Sequence, residues 1–372
     1  MRLELSPALL PILEKARQAG LAPRSGSCSA PSNIALIKYW GKEPDAFQIP
    51  LNSSLSMTLG GFRSFVTLRS IEQSEHLFSL NDVMVPLPAR LQTVLDFLLP
   101  SLGYPGGLSI TGSGNFPIAC GLASSASGGA ALIGALSDAF RLQEVLSPEE
   151  HLLWLTEGAR LFSGSATRSV LPAPFVLWER LAGQKATRTR AVPTGFPPLG
   201  HGVVLMEAGK KPFSSSRGHE AAPTSPLFLW HQATVPQALQ EVQKALLSGD
   251  WQTLAQHTEQ EAFALHAIMQ TAHPPLQCLP EKTQTFLNAF LSERHRHALR
   301  AMISLDAGPN VHLLFLEEDK SALESLLEII AKAQKMSFSV LWNNASAPIA
   351  LGKDQVDSLP KALLLQKHFS GS

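Results

Sequence analysis

The sequence predicts an α+β chain, with helices on one face of an antiparallel sheet, and three observations carry that expectation. From about Ser27 to Glu179, strand-like stretches such as SMTLGGFRSFVTLRSI alternate with helical ones such as ARLQTVLDFLL. The region Leu181 to Gly202, rich in Gly, Pro, Thr and basic residues, reads as a surface crossing between two differently patterned halves. Beyond it come two helices, then strand, turn, strand in AMISLDAGPNVHLLFLEE, a helix in KSALESLLEIIAKAQ and a closing strand in SFSVLWNN. With 372 residues, 45% of them hydrophobic, the chain is long enough for a sizeable core and two domains.

Each element has its own signal. The N-terminal MRLELSPALLPILEKARQAG reads as a short helix: Pro11 suits a first helical position, Leu10, Leu13 and Ala16 lie on one side, and Gly20 ends it. Its charges at Arg2, Glu4, Glu14 and Lys15 interrupt any signal-peptide core. In the second half Val235, Ala238, Leu239, Val242 and Leu246 mark one helical face, and a further helix is expected around Leu254 to Met269. No apolar run approaches the roughly eighteen residues of a membrane span.

Charge and cysteine content exclude other classes. Thirty Lys and Arg balance thirty Asp and Glu, so no global field recruits nucleic acid or an anionic membrane. Cys28, Cys120 and Cys278 are far apart and form no C-x-x-C pair, which argues against a disulfide framework or a zinc site and for a reducing, cytoplasmic compartment. The twelve histidines show no ligand spacing such as H-E-x-x-H and read as mostly solvated.

Ala119 to Leu132, ACGLASSASGGAAL, is built almost wholly from Ala, Gly and Ser. Residues this small let something approach the main chain closely. A flexible linker and a tightly packed helix face are the two bland explanations. The segment follows the turn-like TGSGNF and runs into SGGAALIGALSDAF, which has the content of a helix interior. It therefore reads as a helix start, whose free N–H groups and dipole favour an anion, with Ser hydroxyls as further donors or a magnesium ligand. No Gly-Lys-Ser/Thr closes it, so it is not a Walker loop.

FPIACGLASSASGGAAL resembles the phosphate-binding motif of the GHMP superfamily of small-molecule kinases. APSNIALIKYWGKEP, SGSATRSV and SLDAGPN resemble signature segments of one branch, the diphosphomevalonate decarboxylase family, and all four occur in the expected order. The resemblance implies the GHMP fold, two α/β sandwich domains with the active site in the cleft between them. It divides the chain into a helical extension at 1–26, an ATP-binding domain at 27–195 and a C-terminal domain at 196–372. It also implies ATP and Mg²⁺ as cofactors, with a homodimer expected.

Residue chemistry agrees with the family assignments. Lys38 sits inside an apolar run and must find an anion or water; the resemblance places it near the catalytic aspartate. Lys42, beside Gly41 and Glu43, could be a surface lysine, but by similarity it holds the substrate's diphosphate together with Tyr39. Asn33, Asn52 and Ser53 are expected in the same pocket. In FSGSATRSV, Ser163 or Ser165 could merely cap a helix with Arg168 at the surface. A guanidinium is also a planar, permanently charged fork for carboxylate or phosphate, and the resemblance assigns Arg168 to the substrate carboxylate with Ser163 and Ser165 beside it. KKPFSSSRG, Lys210 to Gly218, resembles a second anion loop, contributing Ser215 and Ser216. Gly121, Leu122, Ala123, Ser124, Ser125, Ala126 and Ser127 are the expected nucleotide cradle, with Ser125 on the metal.

Asp-Ala-Gly-Pro in SLDAGPN could be a plain β-turn. An aspartate ending an apolar strand and held by a stiff turn is also well placed to aim at a hydroxyl, so Asp306 is the candidate base or orienting group. The implied reaction phosphorylates the tertiary hydroxyl of mevalonate diphosphate and then loses phosphate and carbon dioxide to give isopentenyl diphosphate. After Arg168 the chain has Leu171-Pro172-Ala173-Pro174 where the family runs through glycines. That departure leaves room for an altered pocket, a mevalonate monophosphate or a related hydroxy acid. A kinase that stops at phosphorylation and a non-catalytic binding homologue are the other readings.

Overall fold

The computed structural model describes residues 7–43, 47–116, 124–206, 213–277, 279–344, 348–359 and 364–371. The first half comprises α1 (Leu10–Gln18), β1 (Gly26–Ile37), β2 (Ser54–Ile71), β3 (Leu77–Leu80), β4 (Val83–Met84), α2 (Ala89–Ser101), β5 (Gly107–Gly114), α3 (Ser124–Ala139), α4 (Pro148–Phe162), β6 (Phe175–Arg180) and β7 (Thr187–Ala191). The second half comprises β8 (Leu199–Leu205), α5 (Ser215–Ala221), α6 (Phe228–Ser248), α7 (Trp251–Thr271), α8 (Glu281–Arg296), β9 (Ala301–Leu305), β10 (Val311–Leu316), α9 (Lys320–Ala333), β11 (Phe338–Asn343), β12 (Ala350–Leu351), α10 (Lys353–Asp357) and β13 (Leu364–Phe369).

Two sheets organise these elements. The first runs β12-β1-β2-β5-β3-β4, with β6 paired to β2 and β7 to β6; the second runs β13-β11-β8-β10-β9. Pairing is antiparallel apart from β3 with β5. The expected surface crossing at 181–202 is partly sheet: Thr187–Ala191 adds an edge strand and Leu199–Leu205 begins the second sheet. The β-branched and alternating TRTRA outweighs the flanking Gly and Pro there. SFSVLWNN is not the closing strand either, because β13 pairs with it and β12 returns to Cys28–Ser29 in the first sheet.

The small residues of α3 now have a packing role. Ala126, Ser127, Ala130, Ala131 and Ala135 are buried where the helix crosses β1 and β2, and Ser127 Oγ lies 2.7 Å from Ser64 Oγ. Helix α1 starts with Pro near its N-terminus and buries Ile12, Leu13 and Ala16, while Leu10 is exposed rather than on the packed side. It belongs to the same core as α2, α3 and α4.

Strand alternation gives the second sheet two buried faces. Ala301, Ile303, Leu305, Val311, Leu313 and Phe315 pack with α8 and α9. The opposite side carries Met302, Leu314 and Leu341, which share a core with Ile34, Leu36 and Ile37 of β1 and Val235, Leu239 and Val242 of α6. The expectation of helices on one face is therefore too narrow, since the second face is the junction between the halves. Ser304 lies on that junction side, which is what brings β9 to the end of β1. Among the described residues no helix is long and apolar enough to cross a membrane.

Candidate active site

A cavity of about 350 Å³ lies at this junction. Its lining includes Asn33, Lys38, Tyr39, Lys42, Ser124, Ser125, Ser163, Ser165, Arg168, Ser215, Ser216 and Asp306, residues spread over nearly the whole chain in sequence. Asn52 and Ser53 do not line it. Asn52 accepts from Trp40 N and donates to Lys38 O, so it holds the backbone that carries Lys38 and Tyr39; Ser53 Oγ accepts from Arg180 N. Ala126 and Ser127 point into the protein. Gly121, Leu122 and Ala123, like Cys120 and Cys278, lie outside the described residues.

At one end Lys38 is 3% exposed, and its Nζ donates to Ala35 O, Ser304 Oγ and Asp306 Oδ1, each at 3.1 Å. Three acceptors, one of them a carboxylate, satisfy an ammonium that burial alone would penalise. The Asp306 carboxylate is partly open to the cavity. It stands at the end of β9, where the turn through Pro309 closes with Gly308 N on Asp306 O. His266 of α7 donates to the Asp306 backbone carbonyl, and burial followed by the Lys38 charge pushes its imidazole down to about 4.

Arg168 is buried, which rules out the surface reading. Its Nε donates to Ser56 Oγ at 3.0 Å, one terminal nitrogen to Ser54 Oγ at 2.6 Å and the other to Asn33 Oδ1 at 3.3 Å. The guanidinium carbon lies 5.7 Å from the Tyr39 ring centre. Among the described residues its hydrogen bonds go to neutral oxygens, with Asp306 acting on it only at longer range, so it keeps its attraction for an anion. Gly164 makes the arrangement possible, because a Cβ there would come within 2.8 Å of the Tyr39 hydroxyl. Ser163 and Ser165 bond to each other at 3.0 Å along the cavity wall.

At the other end Lys42 has no hydrogen bond or ion pair among the described residues. Burial, reinforced by the Arg90 charge, lowers its ammonium to about 8. Arg90, exposed at the start of α2, was not singled out by any motif, and neither were Ser214 and His219, which also line the cavity. Ser214 caps α5 by accepting from Arg217 N. A second, mainly apolar cavity of about 420 Å³ adjoins the first at Arg90, Ser124 and Ser125 and is walled by Phe65, Phe78, Leu91, Ile110, Leu132 and Phe162.

Sequence also missed a buried relay behind Lys38. Glu261 Oε2 on α7 accepts from the Lys38 backbone N–H at 3.0 Å and lies 3.3 Å from His231 Nε2 on α6. Leu171-Pro172-Ala173-Pro174, the departure from the family pattern, lines no part of the cavity. Leu171 and Ala173 instead join the first core, and Thr58 bonds to the carbonyls of Ala173 and Pro174. The altered-pocket expectation therefore has no support in the geometry.

Two mixed domains around a serine-lined, cation-rich cleft define the GHMP class. Mevalonate diphosphate decarboxylase from Enterococcus faecalis has the same fold, with a TM-score of 0.74 at 26% identity, covering 94% of this chain and 98% of that one. The enzyme from Legionella pneumophila gives a TM-score of 0.72 at 28% identity over 81% of this chain and 96% of that one. A further similar structure, with a TM-score of 0.76 and 26% identity over 94% and 98% of the two chains, is a complex with MVAPP, AMPPCP and magnesium.

Family models agree: residues 30–189 match the diphosphomevalonate decarboxylase-like N-terminal domain, and 202–363 the mevalonate 5-diphosphate decarboxylase C-terminal domain. The Candida albicans diphosphomevalonate decarboxylase is 31% identical over 82% of this chain and 87% of its own length, and the Rattus norvegicus enzyme 32% over 78% and 77%. The chain belongs to the diphosphomevalonate decarboxylase family.

Proposed function

We propose that the chain converts mevalonate 5-diphosphate and ATP to isopentenyl diphosphate, ADP, phosphate and carbon dioxide. The observation that carries this reading is the pair of buried Lys38 and partly open Asp306, 3.1 Å apart, in one cavity with a guanidinium whose hydrogen bonds among the described residues go to neutral oxygens. A kinase needs the first feature; a decarboxylase also needs a fixed cation for the carboxylate it will lose.

In this assignment Asp306 orients the tertiary hydroxyl and takes its proton, while Lys38 holds the carboxylate in place. The hydroxyl oxygen bonds to the γ-phosphorus of ATP as the bond to ADP breaks. The carbon–oxygen bond then breaks with loss of phosphate, and the electron pair of the carboxylate's carbon–carbon bond forms the alkene as carbon dioxide leaves. Arg168, with Asn33, Ser163 and Ser165, binds that carboxylate. Tyr39, Lys42, Arg90, Ser215 and Ser216 bind the diphosphate, with Asn52 and Ser53 shaping the loop behind them. Two cations in one cavity lining, the Lys42 ammonium and the Arg90 guanidinium, favour a diphosphate over a monophosphate.

Residues 121–125 are assigned to ATP, with only the backbone N–H groups of the inward-facing Ala126 and Ser127 behind them and the adjoining apolar cavity taking the base. Ser124 and Ser125 are exposed, their hydroxyls without hydrogen bonds among the described residues, at the N-terminus of α3. No cluster of three or more His, Cys, Asp or Glu that could hold a metal occurs among the described residues. Hydroxyl and phosphate oxygens therefore fit as magnesium ligands, with Ser125 contributing. Magnesium held there would supply neutralisation of phosphate charge. We further assign 27–195 to the ATP-binding domain, 196–372 to the C-terminal domain, 1–26 to an extension, and the assembly to a cytoplasmic homodimer.

Incubation with ATP, Mg²⁺ and mevalonate 5-diphosphate tests the reaction. Equal amounts of ADP and carbon dioxide are expected. ADP without carbon dioxide would make the protein a kinase, and binding without ADP would make it a non-catalytic homologue.

A further inference from the structure

We propose that His219 is an additional substrate-binding residue, donating a hydrogen bond from Nε2 to the diphosphate end of the substrate; this rests on the functional reading above. The imidazole lines the cavity yet is only 8% exposed. It is held between two rings, stacked on Tyr39 with centres 4.7 Å apart and tilted against Trp40 at 4.5 Å. Gly218 permits this seat, since a Cβ at that position would meet the Trp40 ring at 2.7 Å.

The tautomer follows from what surrounds the ring. Nδ1 is buried with no hydrogen-bond partner among the described residues. An orphaned lone pair costs less than an orphaned N–H, so the proton of the neutral ring belongs on Nε2, the nitrogen left to meet the cavity. Burial, with Lys42 and Arg90 adding like charge, holds the imidazole well below its ordinary value. The charged and titratable groups around it are Lys42 and Tyr39 from the segment after β1, Arg90 from α2, and Arg217 and Glu220 on its own helix. A neutral donor can therefore face the anion in the empty site. When a diphosphate offsets the Lys42 and Arg90 charges, two of the three causes that lower the imidazole weaken, so its titration midpoint rises on binding, while burial, the largest cause, still keeps the ring a neutral donor.

Two measurements test this. His219→Gln keeps an N–H near the Nε2 position, whereas His219→Leu removes it. Loss of a hydrogen bond to a charged group corresponds to roughly a tenfold or larger change in affinity. The Leu variant should raise KM for mevalonate 5-diphosphate by that factor with KM for ATP and kcat nearly unchanged, and Gln should recover most of the loss. Separately, inorganic pyrophosphate titrated into wild-type protein with ¹³C-labelled histidine should shift one ring signal, identified by its absence from His219→Gln, and raise its titration midpoint. An unchanged KM in the Leu variant, or a His219 signal indifferent to pyrophosphate, would overturn the assignment. A pyrophosphate response in a protein that releases no carbon dioxide would instead sink the functional reading while leaving His219 an anion ligand.

Discussion

The two ends of the cavity are built on opposite plans. Around Asp306, each cation already has its partners: Lys38 has a carboxylate, a hydroxyl and a carbonyl, and Arg168 has two serines and an asparagine. Around Lys42, neither that ammonium nor Arg90 has an ion pair among the described residues. A prepaired cation is fixed in position before substrate arrives, which suits groups that must meet a developing charge. An unpaired one gains its partner only on binding. Under the proposed function, this geometry corresponds to a region for chemistry and a region for capture.

The sharpest way to break that division is Asp306→Asn, which keeps size and removes the basic oxygen. Loss of general-base help costs about 10²–10⁴-fold in rate, so kcat should collapse while equilibrium dialysis finds ATP affinity near normal. If the variant still makes ADP in step with substrate, Asp306 is only a turn residue and the chemical end lies elsewhere. Arg168→Gln should come next. Truncating one member of a buried charged contact costs about 2–5 kcal/mol, so kcat/KM should fall more than tenfold. A normal value at low substrate concentration would remove Arg168 from the reaction.

These two residues were readable in the sequence because each sits in a short motif that is odd on physical grounds. An arginine among small residues and an aspartate ending an apolar strand both demand explanation. What the motifs could not show is who holds them. Ser54 and Ser56 reach Arg168 from 114 and 112 positions away, and Glu261 reaches Lys38 from 223. Such partners are set by strand register and helix packing, which no local pattern encodes. Arg90 and His219 belong to no motif and become visible only when α2 and α5 meet the segment after β1. Fold class was legible because hydrophobic period and turn residues are local, whereas β12 and β13 were missed because strands so short, or so polar on one side, carry little periodic signal.

The capture end should show itself in pH dependence. Lys42 is a cation below about pH 8 and neutral above it, so anion affinity is present below that value and lost as pH rises through it. KM for mevalonate 5-diphosphate should climb severalfold to about tenfold between about pH 7 and pH 9. Lys42→Arg keeps its charge across that range and should flatten the rise. If the limb survives in the arginine variant, another group titrates and Lys42 is not the capturing cation.

The smallest effect should come from Glu261→Gln, and it probes whether the two ends are separable at all. Gln retains an acceptor for the Lys38 backbone N–H but loses the charge that faces His231, leaving the imidazole with a weaker partner. Because Glu261 does not itself line the cavity and reaches it only through the Lys38 backbone N–H, the variant should disturb only where the ammonium stands relative to Asp306. A change in one buried hydrogen bond is worth about 1 kcal/mol, or a severalfold fall in kcat. KM for mevalonate 5-diphosphate should stay within twofold or so of wild type on the same scale, since Lys42, Arg90 and His219 are untouched. Steady-state kinetics resolve both numbers in one experiment. A rise in KM with kcat preserved would mean that the relay supports the loop carrying Tyr39 and Lys42 as much as it supports Lys38, and that capture and chemistry share a single scaffold.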